Sequence, residues 1–231
     1  MKILIVAADR MEFPGILAHA RGARPAPVAV DFAREADLSG NTLWLVANGV
    51  GGRRASAAVD AALAAFPADA IVSTGFCGAL APDLRIGDIV TATCVSDGSR
   101  RFLALPFSTS RPHRQGVVAS INHVAQTAAE KRALYGDGGI AVEMEAAAVA
   151  ERAAARGIAF HCVRAVSDLA GEDMANDFNA ALREDGHFDT IGLLIGAMRK
   201  PLVRLPELLR LRSRCTLASR ALGDFIADSR F

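Results

Sequence analysis

Three short segments carry the residues with chemistry to offer. Glu143-Met144-Glu145 places two carboxylates two residues apart, just ahead of an alanine-rich helix-forming run. Arg164-Ala165-Val166-Ser167-Asp168 ends an apolar run on a hydroxyl and an acid, and Glu12 follows the first apolar run of the chain. Carboxylates gathered around one cavity can accept hydroxyl protons, exchange protons with a reacting group and favour nearby positive charge. Simpler readings stand beside these. Two acids at a helix N-terminus complement its dipole, and Asp168 could cap a following helix.

The elements that must position these acids alternate between strand and helix. Residues 2–8 form a continuous apolar run of the kind buried in a mainly parallel sheet. Further strands are expected at 42–48, 70–74, 87–95, 116–121, 139–143 and 159–166. Helices are expected at 12–20, 53–66 and 144–156. Residues 22–27 and 97–115 read as loops, and from 176 the chain reads as helical, with breaks at Pro201 and near Pro206. No repeat or linker divides the sequence. One α/β domain over residues 1–231 follows: a three-layer sandwich with a mixed, mainly parallel central sheet and a basic helical tail over about 199–231. In such sheets ligands bind beyond the carboxyl ends of the strands. Glu12, Gly49–Gly52, Gly75–Gly78 and Asp168 all fall on that rim.

Composition narrows the function classes. Hydrophobic residues make up 52% of 231 residues, enough for a substantial core, and the net charge of +1 gives no case for nucleic-acid binding. Lys2, Lys131 and Lys200 are the only lysines among 26 basic residues, a bias towards arginine. Cys77, Cys94, Cys162 and Cys215 have no paired spacing and no histidine at metal-ligand distance, so reduced thiols, no metal and a cytoplasmic location are expected. The apolar N-terminal run is short and broken by Asp9, Arg10 and Glu12, which argues for a strand over a signal peptide.

Taken in order, these segments resemble the superfamily of purine nucleoside phosphorylases and methylthioadenosine/S-adenosylhomocysteine nucleosidases. The carriers are Glu12, Gly49-Val50-Gly51, Thr74 to Leu80, Gly87-Asp88-Ile89-Val90, Val142 to Ala146 and Arg164 to Asp168, over about residues 1–195. Ser120 to Ala125, Ala129-Glu130-Lys131-Arg132 and the Pro201 to Leu209 stretch further resemble the hopanoid-associated phosphorylases. The resemblance implies cleavage of the N-ribosidic bond of an adenosine-type nucleoside, with adenosylhopane a candidate substrate. It makes Asp168 the acid that protonates purine N7, with a pKa raised by desolvation above the ordinary aspartate value of about 3.9. It makes Glu145 the acceptor of ribose hydroxyls, has Ser167 orient Asp168, packs Met144 on the sugar, and puts Glu143, Gly75, Phe76 and His123 at the substrate.

The nucleophile stays open between phosphate and water. Phosphorolysis, the leading expectation, makes phosphate a co-substrate and needs cationic groups or backbone amides, for which Arg10, Arg53 and Arg54 are candidates. Hydrolysis, the alternative, uses Glu12 to activate water, and no other cofactor is implied. Two departures weaken a phosphate pocket. Phe76 stands where many members have a hydroxyl residue, and Ser73 stands where some phosphorylases carry an arginine. His123 or Val124 lies near the position of a base-stacking aromatic.

The tail from 199 to 220 interleaves seven basic residues with leucines. It reads as a helix packing on the domain or a sister subunit, or as an amphipathic element meeting an anionic membrane surface or a lipidic substrate. The expected partners are a small-molecule nucleoside, that membrane surface and further copies of the chain, since the resemblance implies a homo-oligomer.

Overall fold

The computed structural model describes residues 1–231. Its eleven strands are β1 (Lys2–Ala7), β2 (Arg21–Pro25), β3 (Phe32–Leu38), β4 (Asn41–Ala47), β5 (Ala70–Ser73), β6 (Phe76–Ala79), β7 (Ile89–Ser96), β8 (Arg101–Leu103), β9 (Arg114–Ser120), β10 (Gly139–Glu143) and β11 (Ala159–Asp168). They form one mixed sheet in the order β2-β3-β4-β1-β5-β11-β6-β10-β9-β7-β8, and β11 also pairs with β7, so half of the sheet curls back on itself. The centre is parallel: β1 lies between β4 and β5, and β11 runs parallel to β5 and then to β6.

Helices cover both faces. Helices α2 (Gly52–Leu63) and α4 (Ala146–Ala154) pack on one side, α1 (Pro14–His19) and α7 (Pro201–Asp228) on the other. Two cores result, and the alternation of β1 shows how one strand serves both. Leu4 and Val6 join Trp44, Ala58 and Val149, whereas Ile3 and Ile5 join Leu45, Leu222 and Phe225. A strand buried on both faces has no polar side to show, which explains its continuous apolar run. Helix α3 (Ala128–Gly136) packs against β10, α5 (Phe178–Ala181) against α6 (Thr190–Ala197), and α6 against α7.

Several local expectations are corrected. Residues 22–27, read as a loop, largely belong to β2, a fully exposed edge strand that pairs with the unforeseen β3. Pairing with a neighbour decides that strand, not burial. The 97–115 loop contains β8, and the expected 12–20 helix is a 3-10 turn at Arg10–Glu12 followed by α1. Helix α7 runs unbroken past Pro206, because the proline loses only one backbone bond while buried Glu207 pins the next turn to the backbone amides of Ala175 and Asn176. The tail packs on the domain, one of the two readings its sequence offered, though largely through other residues than the leucines of 199–220. Ala218, Leu222, Phe225 and Ile226 are core residues, and Gly223 touches the backbone of Gly15 so closely that a Cβ would lie 2.2 Å from it. The tail leucines are mostly outside this contact: Leu202, Leu209 and Leu217 are exposed. No helix is long and apolar enough to cross a membrane.

Candidate active site

A cavity of about 190 Å³ opens at the carboxyl ends of β1, β10 and β11 and is lined by Glu12, Phe76, Gly78, Met144, Glu145, Ser167 and Asp168, among others. The chain therefore brings together three carboxylates separated by up to 156 positions in the sequence.

Glu12 is held where β1 ends. Asp9 caps the 3-10 turn, and the Glu12 carboxylate accepts from the amides of Ala8 (2.8 Å), Asp9 (3.0 Å) and Phe76 (2.7 Å). Burial raises its pKa against the pull of these amides and of Arg164. Gly75 makes this seat possible. Its φ is +140°, and a Cβ there would lie 2.4 Å from Glu12 Oε1. Gly78 plays the same part under Asp168, where a Cβ would meet Oδ1 at 2.9 Å. Gly75, just before β6, and Gly78, within it, thus leave room for the two acids.

Glu143 and Glu145 divide their labour. The amides of Glu145 (2.9 Å) and Ala146 (2.8 Å) donate to Glu143 Oε2, and Arg164 donates to the same oxygen at 2.5 Å. Glu143, expected at the substrate, lines the cavity, and its carboxylate is engaged by the α4 N-terminus and a buried ion pair. Glu145 accepts from Gly51 N–H at 2.7 Å, in the glycine turn before α2, and lines the cavity. Its pKa is raised to about 8, first by burial and then by repulsion from Glu143. Arg164 is the residue that sequence reasoning left without a role. Its guanidinium, 1% exposed, also donates to Ser73 Oγ at 2.7 Å and attracts Glu12 and Glu145 as well as Glu143. Its place in an apolar strand was the available signal, since a buried arginine must have an anion to face.

Asp168 departs from expectation. An acid kept neutral by an apolar wall was anticipated; the structure instead puts the Lys131 ammonium against its Oδ1. The pair lies at the cavity, with the Asp168 side chain 14% exposed, so the acid is not locked away from the opening. Ser167 Oγ lies 3.1 Å from Asp168 Oδ2 and 3.2 Å from Cys77 O, within reach to orient the carboxylate.

The other expected residues separate into lining and non-lining. Met144, Phe76 and His123 line the cavity, but the His123 ring nitrogens already face Asn122 (2.9 Å) and Glu130 (2.5 Å). Gly75 sits behind Glu12. The phosphate candidates do not converge. Arg10 is exposed outside the cavity, Arg53 donates to Glu184 O (2.8 Å), and Arg54 donates to Asn48 O (2.6 Å) and faces Asp31. Nearby loop backbone engages Arg53 and Arg54, and Asp31 also faces Arg54. Beyond Phe76 and Asp168 the cavity adjoins a predominantly apolar annex of about 450 Å³, walled in part by Met174, Phe178, Phe188, Leu193, Leu208 and Leu211.

The profile of the phosphorylase superfamily matches residues 2–106 and 94–187. Among curated proteins, the 5'-methylthioadenosine/S-adenosylhomocysteine nucleosidase of Shewanella piezotolerans is 26% identical over 217 residues, covering 80% of this chain and 94% of its own. That of Shewanella halifaxensis is 25% identical, covering 87% and 100%. Among solved structures, the Campylobacter jejuni nucleosidase of the same name superposes with a TM-score of 0.72 at 18% identity, over 98% of this chain and 97% of that one. The Streptococcus pyogenes S-adenosylhomocysteine nucleosidase gives 0.67 at 22%, over 97% of each. At these identities the structural likeness speaks for the fold.

Proposed function

Since the chain belongs to the phosphorylase superfamily, we propose that it hydrolyses the N-ribosidic bond of an adenosine-type nucleoside, with water as nucleophile. The observation that carries this reading is the seating of Glu12: a buried carboxylate, fixed by three amides, in one cavity with Asp168 and Glu145. Leaving of the base builds positive charge on the sugar. In this scheme Glu12 takes a proton from the attacking water, Glu145 accepts the ribose hydroxyls, and the base departs as it gains a proton at N7 from the Asp168 side. Burial and Glu143 disfavour the charged form of Glu145 in the empty site, and the positive charge that develops on the sugar favours it, so the Glu145 carboxylate and the transition state stabilise each other.

Phosphorolysis, the leading expectation from the sequence, has less support. Arg10, Arg53 and Arg54 stand outside the cavity, and the similar curated proteins are nucleosidases. The deciding assay is adenine release from 5′-substituted adenosines with and without phosphate. Release that ignores phosphate supports hydrolysis, strict dependence overturns it, and no release from any nucleoside removes the enzymatic reading altogether.

The annex favours a 5′ substituent that is bulky and apolar, the property that makes adenosylhopane a candidate. The same helices carry an exposed apolar surface, with Ile191, Leu194, Ile195, Met198 and Leu202 beside Arg199 and Lys200. An anionic membrane surface complements that combination, and we propose it as the tail's partner.

A further inference from the structure

Lys131 is the one lysine of the interior. Its side chain is fully buried, and its ammonium donates to Asp168 Oδ1 and, at 2.9 Å, to Leu169 O. Burying an ammonium is costly and is tolerated only where anions and carbonyls meet it. Its helix is clamped to the segment after β11: Ala128 N–H donates to Asp173 at 2.7 Å, and Met174 N–H to Gln126 O at 2.8 Å. The clamp holds Nζ against the far side of the carboxylate that lines the cavity.

The choice of side chain bears on chemistry. A chain with three lysines among 26 basic residues places one of them here, where arginine would hold an ion pair equally well. A guanidinium does not surrender a proton, whereas an ammonium can.

We propose that Lys131 is a positioning residue that supplies Asp168 with the proton delivered to the departing base. The inference rests on the N-ribosidic cleavage read above. As the bond from C1′ to the base nitrogen breaks, its electron pair goes to the base. One proton passes from Lys131 Nζ to the Asp168 carboxylate and from there to the base, leaving Lys131 neutral. Glu12 meanwhile holds the proton taken from water. Loss of that proton to solvent and uptake of one by Lys131 restore the site, so nucleoside and water become free base and free sugar.

The test compares two leaving groups in wild type, Lys131→Met and Lys131→Arg. Adenine must be protonated to leave well, whereas the 4-nitrophenolate of a 4-nitrophenyl riboside leaves as a stable anion. Both variants should lose at least about 100-fold in kcat for adenine release, the usual worth of a positioned proton donor, with KM within threefold. Both should keep nitrophenolate release within about threefold. In the Met variant the remaining adenine release should rise as pH falls towards the ordinary aspartate range. Adenine release restored by arginine would overturn the proposal, as would an equal loss on both substrates or an unshifted pH profile; each marks a structural cation only. A wild-type protein that cleaves neither substrate sinks the parent reading, a result distinct from these.

Discussion

Gly75→Ala tests the seat of Glu12 directly. A Cβ at position 75 would stand 2.4 Å from Glu12 Oε1 and 3.0 Å from its Cδ. Ordinary contact requires roughly 3.4 Å or more, so the carboxylate must retreat by roughly 1 Å. The bond from Phe76 N–H, now 2.7 Å, would stretch with it. A displacement of about 1 Å at a reacting group costs on the order of 100-fold in rate, or about 2.7 kcal/mol of transition-state stabilisation. The φ of +140° adds backbone strain of about 1–3 kcal/mol in the folded state. The expected result is a roughly 100-fold fall in kcat/KM for nucleoside cleavage, with urea denaturation showing a stability loss of that size and a native far-UV spectrum. Activity within threefold of wild type would refute the assignment of Glu12 to the water.

Other outcomes follow from the same geometry. Glu145 keeps its proton to about pH 8 in the fold but only to its ordinary 4.5 in the unfolded chain, so the native state binds more protons between those values. Stability should therefore fall as pH rises through that window, and Glu145→Gln should flatten the slope in urea melts at pH 5, 6, 7 and 8; Glu12, shifted the same way, leaves a remainder. Arg164→Met strips three buried carboxylates of their shared cation and should cost about 3–5 kcal/mol, a loss under 1 kcal/mol being inconsistent with the ion pair described. Flotation with vesicles of anionic phospholipid should carry the wild-type protein, and Leu194→Glu with Ile195→Glu should abolish it. Equal non-binding of both would end the membrane proposal.

How much was legible in advance differs by element. The β1, β4, β5 and β11 strands, the α2 and α4 helices and the family were readable because fully buried strands and glycine turns leave local patterns. The β2–β3 pair was not, since exposed edge strands are held by backbone pairing with residues their own sequence does not name. That helix α7 packs on the domain was one reading of the tail, but the contact residues were not legible, because its apolar side is built from Ala218, Gly223 and Phe225 as much as from leucines.

At the site, residue type and order alone determined that Glu12, Glu145 and Asp168 are carboxylates on strand ends facing one rim. Tertiary structure decided which charges they meet. Arg164 and Lys131 come from other strands and helices, and only packing puts a guanidinium beneath Glu143 and an ammonium against Asp168. Ionisation and proton supply depend on neighbours within a few ångströms and on the exclusion of water. Those are properties of an enclosed volume, which no stretch of primary sequence contains.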